Sequence, residues 1–168
     1  DNFRWEAPPL PEEMLADFFA EVAEHLDEVS QLVLSVREAE DPDMYELYRK
    51  LHTVKGNSGM VGLNELQEVA HGMEDVVKEL RSRGEAPTDA LRKVLADGAQ
   101  LASTILRLAE EGGTGQLPVS IYTDRLRTAL AGGTPVAEPT TEAPVELAPL
   151  VSPPPLASPP PGPVLATS

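Results

Sequence analysis

The stretch that most constrains this chain is residues 52–63, which read HTVKGNSGMVGL. At 3.6 residues per turn, one helical stripe carries a histidine, a lysine, bare backbone and a leucine, namely His52, Lys55, Gly56, Gly59 and Leu63, with Gly62 beside it. The adjacent stripe is mostly apolar: Leu47, Leu51, Val54, Ser58 and Val61. The pattern predicts a helix with one buried side and one side that presents a histidine above glycines.

Glycine is an expensive residue inside a helix, since each one costs about 0.5–1 kcal/mol relative to alanine. A helix with a purely structural role would not retain three of them. We interpret the glycines as a bare surface on which another molecule approaches the backbone below His52 closely.

This constellation resembles the signature of the histidine phosphotransfer (HPt) domain family. In that family the histidine is followed by lysine at the third position, glycine at the fourth and small residues at the seventh and tenth. Here the matching residues are His52, Lys55, Gly56, Gly59 and Gly62. The segments HGME at 71–74 and RSRGE at 81–85 are similar to the third helix of the P1 domain of CheA chemotaxis kinases, and the similarity covers roughly residues 11–130.

Two departures from the CheA pattern leave the subfamily open. Asn57 and Ser58 replace the Gly-Ala usual in CheA and are closer to the phosphotransfer domains of hybrid kinases. Val61 and Leu63 replace common aromatic residues.

Composition narrows the classes of fold and partner. With 168 residues, 41% of them hydrophobic and 4% aromatic, the chain allows one helical domain with an aliphatic core. A net charge of −15 argues against a nucleic-acid partner, and no apolar run approaches the roughly 20 residues that would insert into a membrane. Cysteine is absent, so no thiolate metal site exists. The first residue is not Met, and we expect a fragment or a processed chain.

The apolar periodicity predicts an all-α, up-down bundle of four main helices and a shorter fifth. The first begins at Pro11, the second spans about 42–61, the third starts at Asn64 with Gln67 in a capping-box-like position, and the fourth is capped by Thr88.

The fifth spans roughly 120–130 and is expected to bury Ile121, Leu126 and Leu130. Met44, Tyr45 and Tyr48 could suggest an aromatic site, but we expect them to pack at the core and its rim.

Three segments follow from this: a leader at 1–10, a phosphotransfer domain at 11–131, and a Pro/Ala-rich flexible linker at 132–168. The leader either packs loosely through Phe3 and Trp5 or is a disordered end. The last segment holds eleven of the 17 prolines and no Lys or Arg, which is typical of a disordered spacer. A ligand for a proline-recognising domain is the alternative.

Spacing about the turn near Leu63 predicts which side chains meet. His52 lies eleven residues before Leu63 and Glu74 eleven after it, while Lys55 lies eight before and His71 eight after. In an antiparallel hairpin, equal distances from the turn mean equal heights. We therefore expect His52 to face Glu74 and Lys55 to face His71. The alternative for Glu74 and Lys55 is a solvated ion pair of little value.

The resemblance implies a role for each residue. His52 is the phosphoacceptor, Glu74 orients its ring and Lys55 neutralises phosphoryl charge. His71 borders the phosphoacceptor. Gly56, Gly59, Gly62 and Leu63 form the docking surface for a histidine kinase catalytic domain and for a response-regulator receiver domain. ATP and Mg²⁺ belong to those partner domains, so the chain itself needs no cofactor or metal. The expected location is the cytoplasm.

Other classes remain open at this point. Within the family, the alternative to a CheA-type domain is a phosphorelay domain of a hybrid kinase. Outside it, His52, His71 and Glu74 are possible zinc ligands, and a helical interaction module without chemistry is the third reading. The chain lacks a glycine-rich phosphate-binding loop, which argues against an autonomous kinase and favours a fragment of one.

Overall fold

The computed structural model describes residues 2–38 and 40–132. These residues form five helices: α1 (Glu12–Ser35), α2 (Pro42–Met60), α3 (Asn64–Arg83), α4 (Asp89–Glu110) and α5 (Val119–Leu130). Two short strands, β1 (Asn2–Phe3) and β2 (Gly115–Gln116), are the other regular elements of this part of the chain. The predicted helical bundle with four long helices and a shorter fifth is confirmed.

The proline-rich segment, apart from Gly132, lies outside the described residues. Its role as a flexible linker and the boundary at residue 131 therefore stay predictions. None of the five described helices combines the length and the apolar content that crossing a bilayer requires.

The helices surround one aliphatic core. α1 packs against α2 and α4, α3 packs against α2 and α4, and α5 lies against α3 and α4. On α1 the core-facing side is formed by Phe19, Val22, Leu26, Val29 and Val33, which are buried. Each such side chain contributes about 1.5–3 kcal/mol when it is fully buried. The packing places α2 and α3 side by side, and these two helices carry the candidate site.

The ends of α2 are fixed by local chemistry. Asp41 caps its start, where the side chain accepts a hydrogen bond from the backbone N–H of Asp43 at 2.9 Å. Its end is a Schellman turn, because the N–H of Gly62 donates to Gly59 and the N–H of Leu63 donates to Ser58, at 3.2 and 2.9 Å. Gly62 has φ +72°, a left-handed conformation that favours glycine.

The start of α3 differs from the prediction. Leu63 occupies the N-cap position, and no side chain caps this helix. The capping box at Asn64 and Gln67 is therefore wrong. The apolar side chain of Leu63 completes the Schellman turn by burial, and the amide of Gln67 lies against Gly59 of α2.

The buried stripe of α5 also differs from the prediction. Val119, Tyr122, Leu126 and Ala129 face the core, whereas Ile121 is 57% exposed. Tyr122 donates a hydrogen bond from its hydroxyl to the carbonyl of Val94 at 2.8 Å, and burial raises its pKa. Gly98 of α4 makes room for this hydroxyl, since a Cβ there would lie 1.9 Å from it. The hydrogen-bonded Tyr122 therefore faces the core, in place of the aliphatic Ile121 that periodicity favoured.

The leader packs on the bundle, so the alternative of a disordered end is wrong for residues 2–10. Phe3 is buried, and β1 pairs antiparallel with β2. Trp5 packs edge-on against Phe19 with ring centroids 5.8 Å apart, and its indole N–H donates to the carbonyl of Val61 at 3.0 Å. The leader therefore ties the loop between α4 and α5 to the turn that ends α2.

Replacing Trp5 with Phe should test this tie. The variant keeps an aromatic ring against Phe19 but removes the donor to Val61, so we expect a loss of about 1 kcal/mol. For a domain of this size the melting temperature should fall by about 4 °C. Circular dichroism melts measure it. Arg4→Ala is the control, because Arg4 makes only an exposed ion pair with Glu6. Equal melting temperatures for Trp5→Phe and Arg4→Ala would contradict the role of the indole.

Candidate functional site

The centre of the candidate site is the imidazole of His52 on α2. Nδ1 lies 2.5 Å from Oε2 of Glu74 on α3. An ionised carboxylate can only accept a hydrogen bond, so Nδ1 carries a hydrogen, and in the neutral ring Nε2 then keeps its lone pair. The His52 side chain is 60% exposed, and Nε2 has no hydrogen-bond partner among the described residues. The arrangement leaves Nε2, the nucleophilic nitrogen of the neutral ring, open to solvent.

Glu74 is the buried member of the site. Its side chain is 5% exposed, and its second oxygen, Oε1, accepts a hydrogen bond from Nζ of Lys55 at 2.6 Å. Burial alone would raise the pKa of Glu74. The hydrogen bonds from Lys55 and His52, together with the positive charge of Lys55, outweigh it and hold the pKa below its ordinary value of 4.5. Glu74 therefore stays ionised and keeps accepting from the histidine.

The structure brings together His52, Lys55 and Glu74 but leaves His71 outside their hydrogen bonds. His71 is 57% exposed, and its Nε2 lies 3.3 Å from Asp75, one turn along the same helix. The side chain of Lys55 pairs with Glu74, and the expectation that Lys55 faces His71 stays a prediction. The exposed ion pair of His71 with Asp75 contributes little stability.

The predicted zinc trio of His52, His71 and Glu74 is not the one that the fold assembles. Among the described residues, the ligand atoms that come within 4.8 Å of one another belong to His71, Glu74 and Asp75. Both oxygens of Glu74 already accept hydrogen bonds from Lys55 and His52. A metal at this trio would have to compete with two hydrogen-bond donors for a single carboxylate.

The three glycines have three different surroundings. A Cβ at Gly56 would meet nothing within 4 Å, so this position is open as predicted. A Cβ at Gly59 would lie 2.5 Å from Nε2 of Gln67, so the side-chain amide of this α3 residue covers Gly59. Gly62 lies beyond the end of α2, in the left-handed position of the turn. Gly56 and Gly62 therefore keep the open backbone that we inferred for all three glycines, whereas Gly59 is covered by a side chain of α3.

The expectation that Leu63 belongs to the docking surface is wrong. Its side chain is 0% exposed, so it cannot offer an apolar contact to a partner. The signal for this was present, because an apolar residue directly after a helix-terminating glycine is the buried contact of a Schellman turn. Met60, by contrast, is 83% exposed at the end of α2.

Sequence reasoning also missed a stack of rings next to His52. Tyr48 lies one turn earlier on α2, and its ring is within 23° of parallel to the imidazole, with centroids 6.0 Å apart. Tyr45 stacks on Tyr48 in turn, at 6.4 Å. The guanidinium of Arg81 lies over both tyrosines. The helical spacing of i and i+4 could have revealed the contact of Tyr48 with His52.

Glu74→Gln should change stability in a pH-dependent way. A carboxyl whose pKa is lowered by folding contributes stability above its unfolded pKa and loses it as the pH falls through the folded pKa. At pH 7 we expect the variant to be less stable by about 2 kcal/mol, since charged hydrogen bonds are lost. The difference should shrink below about pH 4.5.

Urea unfolding at pH 7 and at pH 3.5 measures this difference. Glu68→Gln is the matched control, because Glu68 lies on the same helix and is exposed. A difference between wild type and Glu74→Gln that is equal at both pH values would contradict the ionised, paired state of Glu74.

Comparison with known proteins agrees with this geometry. The chain is 30% identical over 128 residues to the chemotaxis protein CheA of Treponema pallidum, which covers 73% of this chain and 16% of that protein. It is 30% identical over 129 residues to the gliding motility regulatory protein of Myxococcus xanthus, covering 76% and 16%. The chain thus spans less than a fifth of the length of these relatives.

A solved structure shares the fold. It is the phosphorylated P1 domain of CheA3 in complex with CheY6 from R. sphaeroides, with a TM-score of 0.64, 22% identity, and coverage of 74% of this chain and 100% of that chain. The model of the Hpt domain family matches residues 13–111, more than half of the sequence. The chain belongs to the Hpt domain family and resembles the P1 domain of CheA.

Proposed function

We propose that this domain is a phosphocarrier in which His52 accepts a phosphoryl group from an ATP-dependent histidine kinase domain and passes it to an aspartate of a response regulator. The observation that carries the proposal is the 2.5 Å hydrogen bond from Nδ1 of His52 to Glu74, with Nε2 exposed. Similarity to several CheA proteins favours the chemotaxis branch over a hybrid-kinase phosphorelay. The cytoplasm, where ATP-dependent kinase domains work, is the proposed location.

The first transfer follows from the hydrogen-bonding state of the ring. The lone pair of Nε2 attacks the γ-phosphorus of ATP held by the kinase domain, the bond to the bridging oxygen breaks, and ADP leaves. The hydrogen remains on Nδ1, shared with Glu74, so the ring gains positive charge that the carboxylate stabilises. Lys55 lies one turn along α2 and neutralises charge on the attached phosphoryl oxygens.

The second transfer reverses these bonds on another protein. A carboxylate oxygen of the receiver domain attacks the phosphorus, the P–N bond breaks, and its electron pair returns to Nε2. Mg²⁺ belongs to the receiver. A receiver is supported as partner by the R. sphaeroides P1 domain, which was solved in complex with CheY6. The kinase domain, in the same chain or in another, is the partner required by the first step.

His52→Gln should abolish labelling of the domain while the fold is retained. His52 is the histidine with a buried carboxylate on Nδ1 and an exposed ring. Incubation with a CheA-type kinase core and radiolabelled ATP measures acid-labile, base-stable phosphate. His71→Gln and His25→Gln are the controls, because His71 pairs with exposed Asp75 and His25 is 16% exposed between two glutamates. Full labelling of His52→Gln, or its loss in either control, would contradict the assignment.

Gly56→Leu tests the docking surface at the position that the structure leaves open. Nothing lies within 4 Å of its would-be Cβ, so leucine should raise helix propensity and stabilise the fold by about 1 kcal/mol. Transfer from phosphorylated His52 to a receiver should nevertheless slow at least about tenfold, because a large side chain one turn from His52 keeps the receiver's cleft away.

Gln100→Leu is the matched control for this substitution. Gln100 is exposed on α4, a helix that packs against α1, α3 and α5, and leucine there adds the same side chain far from the site. Stopped-flow or quench measurements of phosphoryl transfer compare the two variants. Wild-type transfer by Gly56→Leu would show that the open backbone does not serve docking.

A further inference from the structure

We propose that Tyr48 is a positioning residue that sets the plane of the His52 ring, and that Arg81 holds Tyr48 in place. The proposal rests on the phosphocarrier function and adds to it a second constraint on the nucleophile. The imidazole has one hydrogen bond, from Nδ1 to Glu74. That hydrogen bond limits the χ1 and χ2 torsions of His52 but leaves the ring a range of tilts, because hydrogen-bond angles vary broadly.

The ring of Tyr48 narrows this range of tilts. Its plane lies within 23° of the imidazole plane at a centroid distance of 6.0 Å, so the two rings are offset and nearly parallel. Tyr48 is itself partly buried and packs against the hydrophobic core, whereas the His52 side chain is 60% exposed. The tyrosine therefore offers a fixed wall to an exposed ring that has few other contacts.

Arg81 connects the ring of Tyr48 to α3. Its guanidinium carbon lies 5.0 Å from the ring centroid of Tyr45 and 5.7 Å from that of Tyr48, distances at which a cation is attracted to an aromatic face. Arg81 is seven residues after Glu74, on the same side of α3 two turns on. It forms no ion pair with any described residue, so its charge remains directed at the tyrosines.

The two constraints act on one side chain from different directions. The hydrogen bond to Glu74 sets the position of Nδ1, and the face of Tyr48 limits the tilt of the ring plane that contains the Nε2 lone pair. In-line attack on phosphorus needs that lone pair aligned with the breaking bond, and small misalignment lowers the rate. Once Nε2 carries the phosphoryl group, the positively charged ring also lies beside the electron-rich face of Tyr48.

The test compares Tyr48→Leu, Tyr48→Phe and Tyr45→Leu. Tyr48→Leu removes the aromatic wall, Tyr48→Phe restores it without the hydroxyl, and Tyr45→Leu removes the next ring along, which contacts Tyr48 and Arg81 but not His52. The phosphorylation rate is measured at increasing concentrations of the domain with a CheA-type kinase core and ATP. We expect kcat to fall about tenfold for Tyr48→Leu with KM unchanged, and to recover with Tyr48→Phe.

A second measurement needs no phosphorylation. Carbon-13 relaxation of the His52 ring C–H groups in the unphosphorylated domain reports the mobility of the ring. The order parameter should fall in Tyr48→Leu and stay at the wild-type value in Tyr48→Phe and Tyr45→Leu. Unchanged order parameters together with an unchanged kcat in Tyr48→Leu would overturn the proposal.

Other outcomes separate the alternatives. Equal increases in KM for Tyr48→Leu and Tyr45→Leu, with kcat preserved, would overturn the positioning role and make the tyrosines a kinase-docking surface. If the wild-type domain takes up no phosphate from the kinase core, the phosphocarrier function fails. In that case a loss of ring order confined to Tyr48→Leu still supports the constraint on the ring.

Discussion

The site and the bundle are joined at one buried carboxylate. Glu74 is 5% exposed on α3, and each of its oxygens accepts a hydrogen bond from α2, one from His52 and one from Lys55. A buried charge that loses a partner is strongly destabilising, so the register of α2 on α3 is held wherever this carboxylate stays ionised. The same two bonds fix the tautomer of His52. Stability and nucleophilicity therefore depend on one group, and neither is changed without the other.

The turn between α2 and α3 extends that constraint to the glycines. Gly62 allows the chain to reverse in a Schellman turn, Leu63 anchors the turn by burial, and Gly59 lets Gln67 pack closely. Trp5 adds a hydrogen bond from the leader to Val61 at the same turn. Two of the glycines that first suggested a docking surface thus serve the contact between helices. A glycine in a helix signals close approach, but the approaching group here is partly the protein itself.

Much of the fold and part of the site were accessible from sequence. Apolar periodicity predicted the five helices, and equal distance from the turn predicted the contact of His52 with Glu74. The same geometry did not predict that Lys55 also binds Glu74, because height along a helix says nothing of how far a long side chain reaches. Periodicity failed for Ile121 because a hydrogen bond from Tyr122 decides the rotation of α5. The pairing of β1 with β2 was beyond reach, since two-residue strands leave no pattern.

The surroundings of His52 differ on its two sides along α2. One turn earlier, Tyr48 fills the surface with a ring held by Arg81 from α3. One turn later, Gly56 leaves the backbone bare. A nucleophile must be held rigidly, which requires neighbours, and it must also enter a cleft on another protein, which requires that neighbours be absent. The helix meets both requirements by separating them along its axis. Partners that use His52 should therefore approach over the turn of Gly56, with the tyrosine side acting as the support against which the ring is held.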